Sequence, residues 1–490
     1  MRNYLLSDTL RVLKEHFDLL IVSHYALVPE FKEHFEQQGI SVCKWLDDRP
    51  SEEAADVHRM TETAYFYKAR SKSRERRLFS RINSAGKGGL DSWLGQKLAP
   101  TLFPLLRSFY QYLVLRDWIH LIKIRDLFER KMVDAVFSTN QMNNSEWGPV
   151  MAARSLGLPV VTAITSWDNP STKTFPILSD YDGYLAWGER MRDATIRHQG
   201  IRDSRRIHIV GAPQFDFLRD ENYALSREEF CESMGLDPTR KILVYTTVTP
   251  GIMPDEPHMV RRVHDMILDG TLPSKTQLLV RLHPKDRMER YEELRKDPRR
   301  SPIVWTLAGN PKIQKRDQWC PDRDDMVRAV NTVRHGDVNV HCRYSTMMLD
   351  FACMDKPVVV LAYDNAGDTA GAKVYEDYEH LKPVLASGGV RVAYAESEAR
   401  TMLQEAFASP EKHRSERKKM VEEQLGFLDG RSGERAGRVI VDIVRREATP
   451  NRIWRRRLLH ACKMQCVGAL YFLARLPYRV RRRVFATSVK

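Results

Sequence analysis

The sequence alternates apolar, strand-like runs with helix-like segments, and this alternation restricts the fold more than any other feature. "VDAVFSTN" (133–140), "EWGPVMAARSLG" (146–157) and "LPVVTAITSWDNP" (158–170) form one strand–helix–strand unit, and the stretch 240–364 contains several more. Strands that are connected through helices lie parallel in a sheet, which helices cover on both faces. The pattern therefore predicts an α/β protein with Rossmann-like, doubly wound parallel sheets.

The length of the chain predicts two such domains, which face a cleft. Its 490 residues exceed the ~250–300 residues at which a single hydrophobic core stops growing. A charged segment near 218–240 separates the two runs of alternation. We therefore predict domains over 1–220 and 221–445, followed by a basic, amphipathic helical tail over 446–490.

The tail carries much of the positive charge of the chain. The formal net charge is +14, and residues 451–490 contain eleven Lys or Arg and no Asp or Glu. Arginine clusters around an apolar stretch too short to span a bilayer are typical of a helix that lies on an anionic membrane surface. A helix packed on the body of the protein and an RNA-binding arm are the alternatives. The sequence lacks the pattern of a nucleic-acid-binding fold, so no nucleic-acid partner is expected.

Other patterns predict the location of the chain. The N-terminus lacks the apolar core of a secretion signal, and no stretch reaches the ~18 apolar residues of a transmembrane helix. The seven cysteines are odd in number and scattered, as in reduced cytosolic proteins. We expect a cytoplasmic protein that is peripheral at the inner face of the cell membrane.

Common cofactor and metal motifs are missing from the sequence. There is no G-x-G-x-x-G, no Walker pattern and no paired Cys or His spacing for zinc. The acidic run "PDRDD" (321–325) is interpreted as the start of a helix, where carboxylates favour the helix dipole. We therefore expect neither a cofactor nor a metal.

A histidine stands where one predicted strand of the second domain ends. "QLLVRLHPKD" (277–286) is apolar except for Arg281 until His283 and Pro284 stop the strand. In open α/β sheets ligands bind at the carboxyl ends of strands, and an imidazole there can donate a hydrogen bond to a phosphate. Arg281 shares a face with His283 because side chains alternate along a strand. A histidine that only caps its loop is the alternative.

A hydroxyl pair follows another predicted strand of the same domain. Ser345 and Thr346 open a helix, where they can cap its backbone N–H groups or help to bind an anion. Parallel strands end at one edge of a sheet, so this pair and His283 are expected to face one ligand. The loop after the first strand of the domain, "YTTVTPG", adds Thr247 and Gly251 as candidates for binding a diphosphate.

These two motifs together resemble a group of bacterial transferases. "RLHP" (281–284) and "YSTMMLDFACMDKPVV" (344–359), in this order in the second of two Rossmann-like halves, are similar to GT-B-fold enzymes that use CMP- or CDP-linked donors. These are the CDP-glycerol glycerophosphotransferases, the bacterial sialyl- and polysialyltransferases and the capsule Kdo transferases.

The resemblance implies roles for five residues. His283, Pro284, Ser345 and Thr346 would bind the phosphate and cytidine parts of the donor, and Asp350 matches an acidic position on the ribose side. A UDP-linked donor stays possible. The Asp/Glu-Asp/Glu-Gly triplet that holds the general base of sialyltransferases is missing here, which leaves the donor sugar and the base open.

A second polar cluster, "TSWDNPSTKTF" (165–175), follows a strand of the first domain. Asp168 is the acid placed to accept the proton of an attacking hydroxyl; a tight Asp-Asn-Pro turn is the alternative. His24 and Asn140 are expected at the same sheet edge, as loop-organising or acceptor-binding groups. The remaining candidates for contacts with the acceptor are Trp167, Asn169, Ser171, Thr172 and Lys173.

The sequence therefore predicts a glycosyltransferase or polyol-phosphate transferase, with Asp168 and His283 as its catalytic residues. It would move a unit from a nucleotide-activated donor, bound by the second domain, to a glycan or lipid-linked acceptor, bound by the first, in cell-surface polysaccharide synthesis such as that of a capsule. A UDP-GlcNAc 2-epimerase-like enzyme shares this architecture. A non-catalytic GT-B-like scaffold of a polysaccharide assembly complex is the alternative from another class.

Overall fold

The computed structural model describes residues 2–44, 51–68, 93–117, 119–140, 146–172, 180–201, 203–300, 303–309 and 321–487. The chain forms two compact units. We call Met1–Val12, Trp187–Arg190 and Ile209–Gly437 the six-strand unit, and Leu13–Ala186, Met191–His208 and Arg438–Lys490 the four-strand unit. The boundaries at 220 and 445 stay a prediction about how the chain divides into independently folding domains.

Twelve strands are present in the described residues, and every strand pairing given below is parallel. They are β1 Leu20–Ser23, β2 Ser41–Lys44, β3 Val136–Ser138, β4 Val160–Ala163, β5 Gly183–Ala186, β6 Ile207–Ile209, β7 Lys241–Thr246, β8 Thr276–Leu282, β9 Ile303–Leu307, β10 Val338–Cys342, β11 Val358–Leu361 and β12 Arg391–Ala393.

Helices connect these strands along the described chain. They are α1 Arg2–Leu5, α2 Asp8–Lys14, α3 Pro29–Glu36, α4 Glu52–Lys68, α5 Trp93–Asp117, α6 Ile119–Arg130, α7 Trp147–Leu156, α8 Glu189–Gln199, α9 Pro213–Asp216, α10 Arg227–Met234, α11 Glu256–Leu268, α12 Glu292–Lys296, α13 Arg323–His335, α14 Met347–Cys353, α15 Ala370–Glu376, α16 Lys382–Ser387, α17 Glu396–Ala408, α18 Arg414–Leu425, α19 Ser432–Glu447 and α20 Pro450–Thr487.

The six-strand unit is built on one parallel sheet in the order β12-β11-β10-β7-β8-β9. Every residue of β8, β10 and β11 is buried, as expected of parallel strands that are covered on both faces. Thr246 of β7 pairs with Arg281 of β8, and Tyr245 pairs with Val340 of β10. The three strands therefore end level with one another, with β7 in the middle.

Two further sheets lie earlier in the chain. One has the order β3-β4-β5-β6, and β1 and β2 form a separate two-stranded sheet. Parallel pairing joins β1 to β2, β3 to β4 and β4 to β5. The predicted α/β fold with parallel sheets flanked by helices is thus confirmed. The expectation that His24 shares a sheet edge with Asn140 is wrong, because β1 does not pair with any described strand of the β3–β6 sheet.

The tail helix α20 packs on the four-strand unit. The backbone carbonyl of Ile453 lies so close to Gly157 that a Cβ there would be 2.2 Å from its oxygen. Further along, Gly468 lies against the ring of Tyr112, and Tyr471 packs edge-on against Phe109, with ring centroids 5.1 Å apart. Among the described residues, no helix has the length and apolar character needed to cross a membrane.

Candidate functional site

The end of β8 holds His283 in a tight turn. The carbonyl oxygen of His283 accepts a hydrogen bond from Asp286 N–H at 2.8 Å, and the ring atom Nδ1 accepts one from Lys285 N–H at 3.0 Å. A ring nitrogen that accepts a hydrogen bond carries no proton, so the proton of the neutral imidazole is on Nε2. The turn thus fixes the tautomer and makes Nε2–H the hydrogen-bond donor of this half-buried ring. Pro284, also half-buried, lies within the same turn.

The loop after β7 joins His283 to the neighbouring strand. The Thr247 hydroxyl accepts the backbone N–H of His283 at 2.8 Å, and Thr247 N–H donates to the carbonyl oxygen of Arg281 at 3.0 Å. The predicted donor-binding residue Thr247 therefore positions the backbone of the histidine. No acceptor for its hydroxyl proton is found in the part of the chain that the structure describes.

A buried glutamate that sequence reasoning missed holds the same loop. Both carboxylate oxygens of Glu256 accept Val248 N–H, at 3.1 and 3.0 Å, and Tyr245 Oη donates to Oε1 at 3.4 Å. Burial raises the pKa of Glu256 well above its ordinary value, although the hydrogen bond from Val248 opposes the shift. In sequence Glu256 is only the first residue of a helix, so its inward direction could not be read from the pattern.

The hydroxyl pair after β10 lies at the same edge of the sheet as His283. Ser345 Oγ accepts Met347 N–H at 3.3 Å. Thr346 is the N-cap residue of α14, but its side chain makes no capping hydrogen bond. The structure thus brings His283 and the Ser345–Thr346 pair to the carboxyl ends of two strands that are separated only by β7. Capping, the alternative interpretation of the pair, holds only for Ser345.

Beside this edge lies a buried group of charges that includes two predicted site residues. Arg281 Nη2 donates to Asp325 Oδ1 at 3.0 Å, and both side chains are buried. Burial raises the pKa of Asp350 to about 6, although the positive charges of Arg2 and Arg281 act in the opposite direction. Arg2 itself donates to the amide oxygen of Gln214 at 2.9 Å. Arg281 and Asp350 therefore act on each other electrostatically, as members of a buried ionic cluster.

The acidic run before α13 behaves as expected at one residue and not at another. Asp322 accepts the backbone N–H of Asp325 at 2.7 Å, so it caps the helix as the interpretation of "PDRDD" predicted. Asp325 instead turns inward to Arg281. The sequence contains no signal for this pairing, because it depends on how α13 packs on the sheet.

Gly251 lies in an exposed turn before α11. A Cβ at this position would meet no atom within 4 Å, so neither packing nor backbone conformation requires glycine. The helix begins only at Glu256, five residues later, and the turn is held by hydrogen bonds from Ile252 N–H and Met253 N–H to the carbonyl oxygen of Thr249. Its predicted role in binding a diphosphate stays a prediction.

The second predicted cluster lies in the four-strand unit, after β4. Its members are buried: Trp167, Asp168, Asn169, Ser171 and Thr172. The segment folds back on itself, with Thr172 N–H donating to the Asp168 carbonyl oxygen and Asn169 N–H to that of Ser166, both at 3.0 Å. The hydroxyls of Ser171 and Thr172 lie 3.4 Å apart. Lys173 falls outside the described residues.

A glutamate organises the loop that carries Asn140. Glu146 accepts hydrogen bonds from Ser138 Oγ at 2.7 Å, Thr139 Oγ1 at 3.0 Å and Asn140 N–H at 3.0 Å. The half-buried His24 begins a short 3-10 helix after β1. Glu146 was missed in the sequence, where it appears only as the residue before a helix. Among the described residues, no group of three or more His, Cys, Asp or Glu is arranged to hold a metal ion.

One comparison with known proteins matches a segment that lies mostly in the six-strand unit. Residues 342–442 match the sequence profile of a family described as CDP-Glycerol:Poly(glycerophosphate) glycerophosphotransferase. The matched segment begins at the last residue of β10 and contains Ser345, Thr346 and Asp350. The resemblance to this family that the sequence predicted is confirmed over this segment. No curated protein matches the chain in a sequence comparison.

Several solved structures are similar to the chain. A UDP-GlcNAc 2-epimerase from Neisseria meningitidis bound to UDP-GlcNAc is 10% identical, with 91% of this chain and 98% of that chain covered and a TM-score of 0.49. A UDP-GlcNAc 2-epimerase from Methanocaldococcus jannaschii in complex with UDP-GlcNAc and UDP is 13% identical, with coverage of 86% and 99% and a TM-score of 0.43. The wall teichoic acid polymerase TagF is 12% identical, with coverage of 71% and 98% and a TM-score of 0.36. These likenesses are too weak to bear on the activity of this chain.

Proposed function

We propose that this chain, which carries the glycerophosphotransferase-family segment 342–442, moves a sugar or polyol-phosphate unit from a nucleotide-activated donor to a glycan or lipid-linked acceptor. The observation that carries the proposal is the edge formed by β8, β7 and β10. His283, Thr247 and the Ser345–Thr346 pair follow these three adjacent strands, and the pair lies within the family segment. The CDP-glycerol donor named for that family favours a CDP- or CMP-linked donor over a UDP-linked one.

The chemistry follows from the groups at this edge. When the acceptor hydroxyl attacks the donor, negative charge grows on the phosphate of the leaving nucleotide. Donors that already point at this charge lower the barrier. The Nε2–H of His283 and the hydroxyls of Thr247, Ser345 and Thr346 are such donors. A base must accept the proton of the attacking hydroxyl, and the assignment of Asp168 as this base stays a prediction.

Substitutions of His283 test the proposal, because two amides mimic different atoms of the ring. In His283→Gln the amide N–H stands near the position of Nε2, whereas in His283→Asn the amide stands nearer Nδ1. If Nε2–H binds the donor phosphate, His283→Asn should lower the rate of nucleotide release from CDP-glycerol or CMP-linked sugars by about 10- to 100-fold. His283→Gln should keep more of the activity.

The exposed His258 of α11 provides the matched control, and His258→Gln should behave like the unchanged protein. Equal turnover by all three variants would refute the role of His283. If the unchanged protein released no nucleotide from any donor but supported polysaccharide assembly in cells, the scaffold interpretation would replace the transferase.

We further propose that one face of α20 binds an anionic membrane surface. Met464, Val467 and Tyr471, spaced by three and four residues, are buried against the four-strand unit. At about 3.6 residues per turn, the exposed apolar residues fall on the opposite side of the helix: Trp454, Leu458, Leu459, Leu470, Phe472 and Leu473. Exposed Arg452 and Arg455 accompany them. An apolar face with basic neighbours suits a helix at the surface of an acidic bilayer, where a lipid-linked acceptor would be found.

Vesicles test this membrane proposal directly. Cys462 and Cys466 are exposed and can carry an environment-sensitive fluorescent dye. The emission of the dye should shift to shorter wavelength when vesicles of phosphatidylglycerol and phosphatidylcholine are added, but not when vesicles of pure phosphatidylcholine are added. Replacing Trp454, Leu459 and Phe472 by serine should abolish the shift. Leu268→Ser, which changes an equally exposed leucine of the six-strand unit, should not. Equal binding by both variants would contradict the proposal.

A further inference from the structure

The residue after β10, Arg343, has more unpartnered nitrogens than the other buried arginines in the described part of the six-strand unit. Arg281 and Arg300 each leave one nitrogen without a partner, but each also forms an ion pair with an aspartate. Its side chain is 6% exposed, yet Nε and Nη1 are buried without a hydrogen-bond partner among the described residues. Arg417, which is 2% exposed, donates to Asp355 and to the carbonyl oxygens of Lys412 and Pro410. A buried cationic donor without a partner costs stability, so Arg343 is not explained by its contribution to the fold.

The backbone of Arg343 is also unusual. Its φ of 59° lies in the left-handed region, which costs a residue other than glycine about 1–3 kcal/mol and is often found at functional sites. Its N–H donates to the carbonyl oxygen of Leu361 at 3.1 Å, so the residue still belongs to the edge where β10 and β11 end. The chain therefore turns at Arg343, immediately after β10, and the Tyr344–Thr346 segment begins at this edge of the sheet.

The fold leaves room for the guanidinium. A Cβ at Gly371, in the first turn of α15, would lie 2.5 Å from Nη2 and 3.0 Å from Cζ of Arg343. Only glycine permits this approach, so the guanidinium lies beside the backbone of α15. Nε and Nη1, which together carry three N–H bonds, remain for a ligand that accepts hydrogen bonds.

The position of Arg343 relates it to the other groups of the edge. β10 and β8 are separated by β7 alone, so the backbones of Arg343 and His283 lie about 10 Å apart, two strand spacings. Two side chains of these lengths can each reach one phosphate of a single diphosphate. A guanidinium is the side chain best suited to such a phosphate, because its N–H groups form a planar fork.

We infer that Arg343 binds one phosphate of the donor diphosphate while His283 binds the other. This inference rests on the proposed function and adds to it a residue that distinguishes diphosphates from monophosphates. Nucleoside diphosphates engage both residues, whereas a monophosphate engages one of them. The chain should therefore bind CDP more tightly than CMP, and Arg343 should be the reason for much of the difference.

The test compares CDP, CMP and inorganic pyrophosphate as ligands of the full chain in calorimetric titrations. Arg343→Met keeps an apolar stem and removes the charge. This substitution should lower the affinity for CDP and pyrophosphate about 10- to 100-fold and the affinity for CMP much less. The melting temperature of the ligand-free protein should stay equal or rise. Arg343→Lys, which keeps the charge without the fork, should show an intermediate loss.

Arg417→Met is the matched control. Because it removes a buried arginine that makes four hydrogen bonds, it should lower the melting temperature and leave the ratio of CDP to CMP affinity unchanged. The inference is refuted if Arg343→Met keeps that ratio, or if Arg343→Met and Arg343→Lys both lose the fold in the absence of ligand.

Failure of the inference and failure of the proposed function give different results. If Arg343→Met binds CDP as well as the unchanged protein and His283→Asn does not, only the inference fails. If the unchanged protein binds none of the three ligands, both fail.

Discussion

Polar residues at the edge of the six-stranded sheet differ in how fully the surrounding protein satisfies their hydrogen bonds and charges. Glu256 accepts a hydrogen bond from Val248 in the loop after β7, and Thr247 in the same loop accepts one from His283, which follows the neighbouring strand β8. Asp350 is buried against two arginines that do not fully offset the loss of its hydration, and its pKa rises to about 6. Because the pKa of this carboxyl group is higher in the folded protein than in the unfolded chain, the stability of the protein depends on pH between about 4 and 6.

Asp350→Asn tests this dependence. The folded protein binds the Asp350 proton more tightly than the unfolded chain, since the pKa rises from 3.8 to about 6. Its contribution to stability is therefore greatest at low pH and falls as the pH rises through this window, by about 3 kcal/mol in all. In urea unfolding between pH 3 and 8, the free energy of unfolding of the unchanged protein should fall by that amount relative to the variant. Parallel pH curves for the two proteins would contradict the prediction.

The sequence predicts some of these residues for a physical reason. His283 and Ser345 could be placed together because parallel strands end at one edge of a sheet. The partners of Arg281 and Val248, namely Asp325 and Glu256, could not, because each depends on which side of a helix turns toward the sheet. Nor does the sequence contain a signal for the left-handed backbone of Arg343, since arginine seldom adopts it.

At the scale of elements, α20 and the end of α7 approach closely at one glycine. Gly157 has φ 79°, and its absent Cβ would lie 2.2 Å from the Ile453 carbonyl oxygen and 2.8 Å from Arg457 N. Both atoms belong to the backbone of α20, which cannot give way without moving the helix. The packing of the tail thus depends on a residue nearly three hundred positions earlier.

Gly157→Ala should displace α20, and Gly39→Ala is its control. Gly39 has φ 78° with no atom within 4 Å of a Cβ, so its substitution costs only the left-handed backbone, about 1–2 kcal/mol. Gly157→Ala adds the steric conflict, about 1–3 kcal/mol more. Trypsin should cleave the arginine-rich start of α20 several-fold faster in Gly157→Ala than in Gly39→Ala. Equal cleavage would show that the tail is not held there.

The strands and helices themselves were largely predictable. Runs such as "QLLVRL" and "KPVVVL" are apolar because both faces of a parallel sheet are covered, and they form β8 and β11. The two-stranded β1–β2 sheet was not foreseen, since hydrophobic pattern identifies a strand but not its partner. The tail was predicted as a helix with several possible surroundings, and only the structure shows which side of it is buried.

At the scale of the whole molecule, the chain divides into units that are not continuous in sequence. Met1–Val12 belongs to the six-strand unit, where Thr9 Oγ1 donates to the Gly433 carbonyl oxygen at 2.9 Å and Arg2 reaches Gln214. The hydrophobic pattern predicts which neighbouring strands and helices pack together, but not that the first twelve residues pack with a unit formed much later in the chain. The proposed donor groups His283, Thr247, Ser345 and Thr346 nevertheless all belong to this one unit, so nucleotide binding can be measured as a property of a single sheet edge.

The most direct measurement is the change in melting temperature of the unmodified chain with CDP, CMP, UDP and GDP, because a ligand that binds only the folded protein raises that temperature. We predict the largest rise in melting temperature with CDP, a smaller one with CMP, and the loss of both in His283→Asn. A protein that melts at the same temperature with every nucleotide, or whose response survives that substitution, would contradict the assignment of this sheet edge as a nucleotide-donor site.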